Sequence, residues 1–144
     1  MAERKTGSCL CGLVRVEAVI DASSITACHC GQCRRWTGGG PYFSTGVSDV
    51  RIDGEDQIAI FAASEWGERG YCRSCGTTLF WRMKGKPLNN LAAGLFDDQS
   101  GLAVRQEIFV DRRPHWQSPW DGASQSTEAE EYAKLEAALK GSAT

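Results

Sequence analysis

The sequence predicts one mainly β domain, built from short antiparallel strands and followed by a C-terminal helix. The 144 residues suit a single core, because cores commonly reach roughly 100–200 residues before a chain divides. Apolar runs of strand length alternate with glycine, proline, asparagine and aspartate, as in antiparallel β structure. Only the C-terminal residues follow a helical pattern. With 42% hydrophobic and 24% charged residues, the composition is typical of a folded globular protein.

The predicted strands are short and follow one another along the chain. In the first, Val14, Val16 and Ala18 alternate with charged residues, which is typical of a strand with one buried face. The glycine-rich residues 37–41 are predicted to form a loop. The full set of predicted strands covers residues 13–20, 25–28, 42–47, 50–52, 57–62, 70–71, 77–83, 90–95 and 105–110.

The C-terminal residues 128–140 are predicted to form a helix. Thr127 and Glu130 fit a capping box, and Gly141 is placed to end the helix. Packing of the apolar stripe on the sheet is the first interpretation, and a homodimer contact is the alternative. The stripe comprises Tyr132, Leu135 and Leu139.

Charge and hydropathy exclude several classes of partner. The net charge is −2, and the 16 basic residues are scattered, which argues against binding nucleic acid through its phosphates. No apolar run approaches the roughly 18 residues that span a bilayer, and no apolar signal core follows the charged residues 3–5. We therefore expect a cytoplasmic protein without nucleic-acid or membrane partners.

The seven cysteines all lie within three residues of another cysteine. An odd count in a chain without an export signal disfavours disulfides. Metal sites for soft ions need such proximity, because several sulfurs must converge on one ion. A glycine directly follows one cysteine of each group and can turn the backbone around an ion. The groups are Cys9 and Cys11, then Cys28, Cys30 and Cys33, then Cys72 and Cys75, and the glycines are Gly12, Gly31 and Gly76.

Seven ligands divide most simply into four plus three. A closed structural zinc takes four protein ligands, whereas a working zinc keeps one position open. The two outer pairs would close a long loop around a structural zinc, through Cys9, Cys11, Cys72 and Cys75. The central triad would hold a second zinc and form the catalytic centre, through Cys28, Cys30 and Cys33. Three thiolates make zinc a weak Lewis acid, so we expect its free position to take a sulfur.

Other interpretations of the cysteines stay open at this point. The outer pairs are also compatible with buried free thiols or with iron in the same geometry. The triad is also compatible with a structural zinc whose fourth ligand is His29 or His115. In an extended segment, however, His29 would point away from its two neighbouring cysteines.

Three residues that directly follow the triad are candidate substrate-binding residues. Arg34 and Arg35 can hold the carboxylates of an anionic peptide through charge-assisted forks, and Trp36 can line the same groove. The alternative is a solvated arginine pair. Further aromatic residues either line a groove or fill the core: Phe43, Phe80, Trp81 and Trp116.

Three short motifs contain all seven cysteines: GSCLCG at 7–12, CHCGQCRR at 28–35 and CRSCG at 72–76. With 36–39, 79–81, 95–98, 108–110 and Trp116, they resemble the glutathione-dependent formaldehyde-activating family over roughly residues 7–122. The resemblance implies an Mss4-like β-tent fold, with a structural zinc on the outer pairs and a second zinc, open to partial occupancy, on the triad. It also divides the chain into an N-terminal arm, a zinc domain and a helical tail, at 1–6, 7–122 and 123–144.

The resemblance further implies a carbon–sulfur lyase that joins glutathione to formaldehyde as S-hydroxymethylglutathione. We therefore expect the triad zinc to bind a thiol as thiolate beside formaldehyde or a similar small aldehyde. Two alternatives remain. One is a non-catalytic zinc module that carries glutathione or another thiol, and the other is a β scaffold for protein contacts.

Overall fold

The computed structural model describes residues 3–142. It confirms the predicted fold class, with mainly antiparallel β structure and a C-terminal helix. The chain packs as two compact units: residues up to Ile25 together with Phe43–Ala103, and Thr26–Tyr42 together with the residues from Val104 onward. The division into arm, zinc domain and tail stays a prediction, and its residues 1, 2, 143 and 144 lie outside the described part.

Four strands of one sheet lie in the first unit. Strand β1 (Glu3–Ser8) runs antiparallel to the first residues of β2 (Arg15–Cys28). Strand β3 (Tyr42–Asp53) neighbours β2 and runs antiparallel to the short β7 (Asn90–Ala92). The sequence pattern did not predict β1, because its buried positions are Lys5 and Gly7 rather than alternating apolar side chains.

A second sheet of the first unit is antiparallel throughout. It consists of β4 (Ile58–Phe61), β5 (Gly67–Cys72) and β6 (Thr78–Met83) in that order. The buried core of this unit contains the predicted alternating positions of β2, together with Cys9 and Cys72. Its apolar members include Val14, Val16, Ala18, Ile20, Val47, Leu79, Phe80, Leu91, Leu95 and Phe96.

Strands β2 and β3 each join two segments that the sequence predicts as separate strands. The polar residues between the segments were expected to turn the chain, but they bond across the sheet instead. The Ser48 hydroxyl donates to the Asp21 carboxylate at 2.7 Å, and the Thr45 hydroxyl donates to the Ser24 carbonyl at 3.1 Å. These cross-strand bonds hold residues of the turn-forming types in extended strands.

The second unit contains the end of β2, two helices and a parallel strand pair. Helix α1 (Gly31–Thr37) follows β2, and β9 (Ser124–Ser126) runs parallel to β8 (Ala103–Ile108). Helix α2 covers Glu128–Ser142. Only antiparallel strands were predicted, so this parallel pair differs from the prediction. The chain between β8 and β9 is long enough to return to the end of the sheet where β8 begins, so β9 can run in the same direction as β8.

The capping box of α2 is confirmed. The Thr127 amide donates to Glu130 Oε1 at 3.0 Å, and the Glu130 amide donates to Thr127 Oγ1 at 3.3 Å. Helix α2 extends two residues beyond the predicted end, so Gly141 does not end it. Of the predicted stripe, Tyr132 packs edge-on against Phe109 with ring centroids 5.8 Å apart. No helix within residues 3–142 has the length and apolar character needed to cross a membrane.

Candidate functional site

Four cysteine sulfurs of the first unit lie within 4.8 Å of one another, and we call them the four-sulfur cluster: Cys9, Cys11, Cys72 and Cys75. The Sγ atoms of Cys9 and Cys11 are 3.5 Å apart, and those of Cys11 and Cys72 are 3.8 Å apart. Sulfurs that bind one tetrahedral zinc at about 2.3 Å are separated by about 3.8 Å. All seven cysteines of the chain are free of disulfides. The spacing therefore fits a closed four-coordinate ion.

Two tight turns build the four-sulfur cluster. After β1, the Gly12 amide donates to the Cys9 carbonyl at 3.1 Å, and after β5 the Gly76 amide donates to the Cys72 carbonyl at 2.7 Å. Both glycines have positive φ, 80° for Gly12 and 79° for Gly76, a conformation that other residues rarely adopt. The turns also direct a donor at sulfur, since the Val14 amide donates to Cys9 Sγ at 3.3 Å.

Thr77 tunes the charge of the four-sulfur cluster. Its hydroxyl lies 3.1 Å from Cys75 Sγ and accepts the Leu10 amide at 3.0 Å. The hydroxyl and the amide of Thr77 lower the pKa of Cys75 to about 5. The Leu13 amide favours ionisation of Cys11, but desolvation and the three neighbouring sulfurs raise the pKa of Cys11 to about 12. A cation between the sulfurs would favour ionisation of all four.

Three cysteine sulfurs of the second unit also lie within 4.8 Å of one another, and we call them the three-sulfur cluster: Cys28, Cys30 and Cys33. Cys28 ends β2, Cys30 caps α1, and the Cys33 amide donates to Cys30 Sγ at 3.3 Å. The sulfurs of Cys30 and Cys33, together with burial, raise the pKa of Cys28. Three thiolates at neutral pH would again need a cation.

The three-sulfur cluster differs from its prediction in two ways. Helical structure was predicted only for the C-terminal residues, whereas Cys33 is a buried residue of helix α1, which Gly38 ends with a φ of 87°. Gly31 begins α1 and does not have the positive φ of the other two predicted glycines. Within residues 3–142, no histidine or carboxylate joins these three sulfurs in a metal-ligand group.

His29 belongs instead to a buried polar network that the sequence analysis missed. The His29 Nε2–H donates to Glu107 Oε1 at 2.8 Å, and Arg113 Nη2 donates to the same oxygen at 3.1 Å. The Trp120 amide donates to Glu107 Oε2 at 2.9 Å. Burial opposes ionisation of Glu107, but His29, the Trp120 amide and Arg113 outweigh it and lower the pKa of this carboxyl. The His29 amide also donates to the Ile108 carbonyl at 3.0 Å, so the residue between two cysteines is held at both backbone and side chain.

A pocket of about 480 Å³ lies in the same unit. Its lining residues are Arg34, Arg35, Gly38, Gly39, Arg112, Pro114 and Trp116. The predicted Arg34 and Arg35 line it, whereas Trp36 packs against Tyr42 with ring centroids 5.1 Å apart. His115 is exposed between two lining residues. Arg112, which is distant in the chain from the cysteines, was not among the predicted substrate-binding residues.

A family model described as glutathione-dependent formaldehyde-activating enzyme matches residues 4–112, a span that contains both cysteine clusters. The chain belongs to this family. A protein of Schizosaccharomyces pombe (strain 972), named as an uncharacterized lyase, is 27% identical over 110 residues, which are 75% of this chain and 80% of that protein. Membership of the formaldehyde-activating family and similarity to a lyase together support enzyme activity of a lyase type.

A solved structure supports the fold of this member of the formaldehyde-activating family. A crystal structure of a Rhodobacter sphaeroides protein matches it with a TM-score of 0.53 and 18% sequence identity. The match covers 85% of this chain and 99% of that chain. At this identity the likeness concerns the fold alone.

Proposed function

We propose that this protein is a zinc-dependent carbon–sulfur lyase-type enzyme. It would add a thiol, in the first place glutathione, to formaldehyde or a similar small aldehyde and give the S-hydroxymethyl adduct. The observation that carries the proposal is a cluster of three sulfurs with no fourth protein ligand among residues 3–142. Family membership supports glutathione and formaldehyde as the reactants.

The two clusters would have different roles. The spacing in the four-sulfur cluster fits a closed zinc site, and its turns tie β1 to the β5–β6 connection, so its role would be structural. Cys28, Cys30 and Cys33 would hold a second zinc, with two zinc ions per chain when both sites are filled. A zinc ion held by this triad would favour the ionised form of a thiol at neutral pH.

The addition needs few groups from the protein. The thiolate sulfur forms a bond to the aldehyde carbon while the carbonyl electron pair moves to oxygen, which takes a proton. The reverse reaction breaks the same carbon–sulfur bond. We assign no side chain as general base and expect water to supply the proton. Arg34 and Arg35 line the pocket beside Gly38 and Gly39, where their guanidinium groups would bind substrate carboxylates, and Trp36 is retained as a proposed substrate contact.

The test uses the Cys30→Ser variant. Cys30 is a half-buried cap residue rather than part of the hydrophobic core, so we expect the fold to survive with one zinc instead of two. The rate of exchange between formaldehyde and its glutathione adduct, measured by NMR, should fall by about a hundredfold or more, as for loss of a catalytic metal.

Three results would contradict the proposal. A wild-type exchange rate in Cys30→Ser would show that the triad is not the catalytic centre. Equal exchange rates with and without wild-type protein, with thiol binding intact, would assign the protein as a non-catalytic carrier of thiols. If the wild-type protein neither binds thiols nor accelerates exchange, the alternative of a β scaffold for protein contacts would remain.

A further inference from the structure

We propose that Arg112 and Trp116 complete an anion-binding pocket with Arg34 and Arg35, and that Glu128 acts as its built-in counter-charge. The pocket would select thiols that carry two carboxylates over neutral thiols. This inference rests on the proposed function for the identity of the ligand as a thiol, and it names the residues that would recognise the rest of the molecule.

The composition of the pocket points to an anionic ligand. Three of its lining residues are arginines, and none is a carboxylate. Guanidinium groups bind carboxylates through paired, charge-assisted hydrogen bonds. Like charges brought together on one wall repel each other, so an anion between them relieves that repulsion. Gly38 and Gly39 also line the pocket and have no side chains, which lets a ligand approach the backbone.

The guanidinium groups of Arg34 and Arg35 have N–H donors that can bind a ligand. Within the described chain, the Arg34 guanidinium makes no hydrogen bond or ion pair. Arg35 Nη1 donates to the Gly31 carbonyl at 3.2 Å, so its guanidinium lies back along α1, beside the residue that follows Cys30. A guanidinium has five N–H donors, and this contact uses one. A carboxylate bound here would hold its ligand next to the turn that carries the triad.

Trp116 adds an apolar wall to this charged pocket. Its side chain is 62% exposed, although large aromatic side chains usually bury most of their surface. An exposed indole beside guanidinium groups offers a face for the backbone or methylene carbons of a peptide-like ligand. This explains why the pocket would favour a short anionic peptide over an inorganic anion.

Glu128 limits the charge of the pocket. Arg112 Nη2 donates to Glu128 Oε2 at 2.9 Å, and the Glu128 amide donates to Asp111 Oδ1 at 2.9 Å, which fixes the start of α2 beside Arg112. A ligand carboxylate must share Arg112 with Glu128 or displace it. Neutralising Glu128 should therefore strengthen binding of an anion, while neutralising Arg112 should weaken it.

The test measures binding of S-methylglutathione, which keeps both carboxylates but has no free thiol, by calorimetry with the zinc-loaded protein. We expect Arg112→Gln to weaken binding about tenfold, as for loss of a charge-assisted pair. Trp116→Ala should weaken binding several-fold, and Glu128→Gln should strengthen it about threefold. The matched control is Arg51→Gln, because Arg51 is an exposed arginine of the first unit that contacts Glu17 at 3.8 Å.

Kinetics with two thiols separate this inference from the proposed function. Arg112→Gln should raise KM for glutathione, leave kcat unchanged, and leave KM for 2-mercaptoethanol unchanged. If Arg112→Gln binds S-methylglutathione as tightly as the wild-type protein does, the proposed role of Arg112 in the pocket is wrong, even when turnover is normal. Unchanged or weaker binding by Glu128→Gln overturns the counter-charge. If the wild-type protein binds S-methylglutathione through Arg112 and yet shows no turnover, that result would refute the proposed function, but it would support the proposed anion-binding pocket.

Discussion

The four-sulfur and three-sulfur clusters use the same ligand type but differ in the number of ligands that residues 3–142 supply. Two tight turns bring four sulfurs together, and two of these cysteines, Cys9 and Cys72, belong to the hydrophobic core. The three-sulfur cluster forms where β2 passes into α1, and two of its members are half-buried. A zinc ion with four protein ligands can only stabilise the fold, whereas a zinc ion with three protein ligands can also bind a substrate.

The surroundings of the clusters differ as well. Backbone amides and the Thr77 hydroxyl contact the sulfurs of the four-sulfur cluster. Beside the three-sulfur cluster in the chain, His29 is held by the buried Glu107 carboxylate. Both clusters nevertheless depend on residues distant in the chain, because Cys11 and Cys72 are 61 residues apart and His29 and Glu107 are 78 residues apart.

The largest effect that would sharpen this comparison is expected from Cys72→Ser. Cys72 is fully buried in the four-sulfur cluster, and structural zinc contributes on the order of 10 kcal/mol to folding. We expect the variant to be unfolded, or its Tm to fall by roughly 10 °C or more, as measured by circular dichroism. Cys33→Ser, at a buried position of the other cluster, is the control and should change Tm much less. Equal losses in both variants would contradict the difference in roles.

A smaller effect is expected from Glu107→Gln, which tests whether the buried polar network around Glu107 stabilises the second unit. Removing one partner of a buried charge pair costs about 3 kcal/mol, so Tm should fall by roughly 6 to 12 °C at pH 7. Glu136→Gln on the exposed face of α2 is the matched control. A Tm equal to that of this control would show that the network contributes nothing.

The effect of Glu107 should also depend on pH in a defined direction. The folded-state pKa of Glu107 is lower than its ordinary value of 4.5. Its ionisation therefore stabilises the fold fully above about pH 4.5, and this contribution is lost as the pH falls through the folded-state value. The difference in Tm between wild type and Glu107→Gln should shrink between pH 6 and pH 3, and a difference that grows would refute the assignment of the carboxylate.

The smallest effect is expected from Thr77→Val, which removes a hydroxyl from the four-sulfur cluster. The Leu10 amide loses its acceptor and Cys75 loses its donor, which should cost about 1 kcal/mol. The pKa of Cys75 should rise from about 5, so zinc should be released at a higher pH during acid titration. Thr6→Val, at an exposed position of β1, is the control. An unchanged release profile would show that Thr77 does not tune the cluster.

Several features of the molecule were predictable because they depend on residues close together in the chain. The spacing of Cys28, Cys30 and Cys33 brings their sulfurs together within one turn, and the Thr127 and Glu130 pair caps α2 as expected. The alternating side chains of β2 are buried as predicted. Family membership was also evident from these local motifs.

Other features depended on residues that meet only after folding. Strand β1 has no apolar pattern and exists because its backbone pairs with β2. Residues 21–24 have turn-forming side chains, yet bonds from β3 keep them extended. The Glu107 network and the place of Arg112 in the pocket join positions with no shared motif. Local spacing determined the triad and each outer pair of cysteines, because a short turn brings neighbouring thiols together. Long-range packing decided that the two outer pairs, with Cys11 and Cys72 61 residues apart in the chain, form one cluster, and which charged groups accompany the sulfurs.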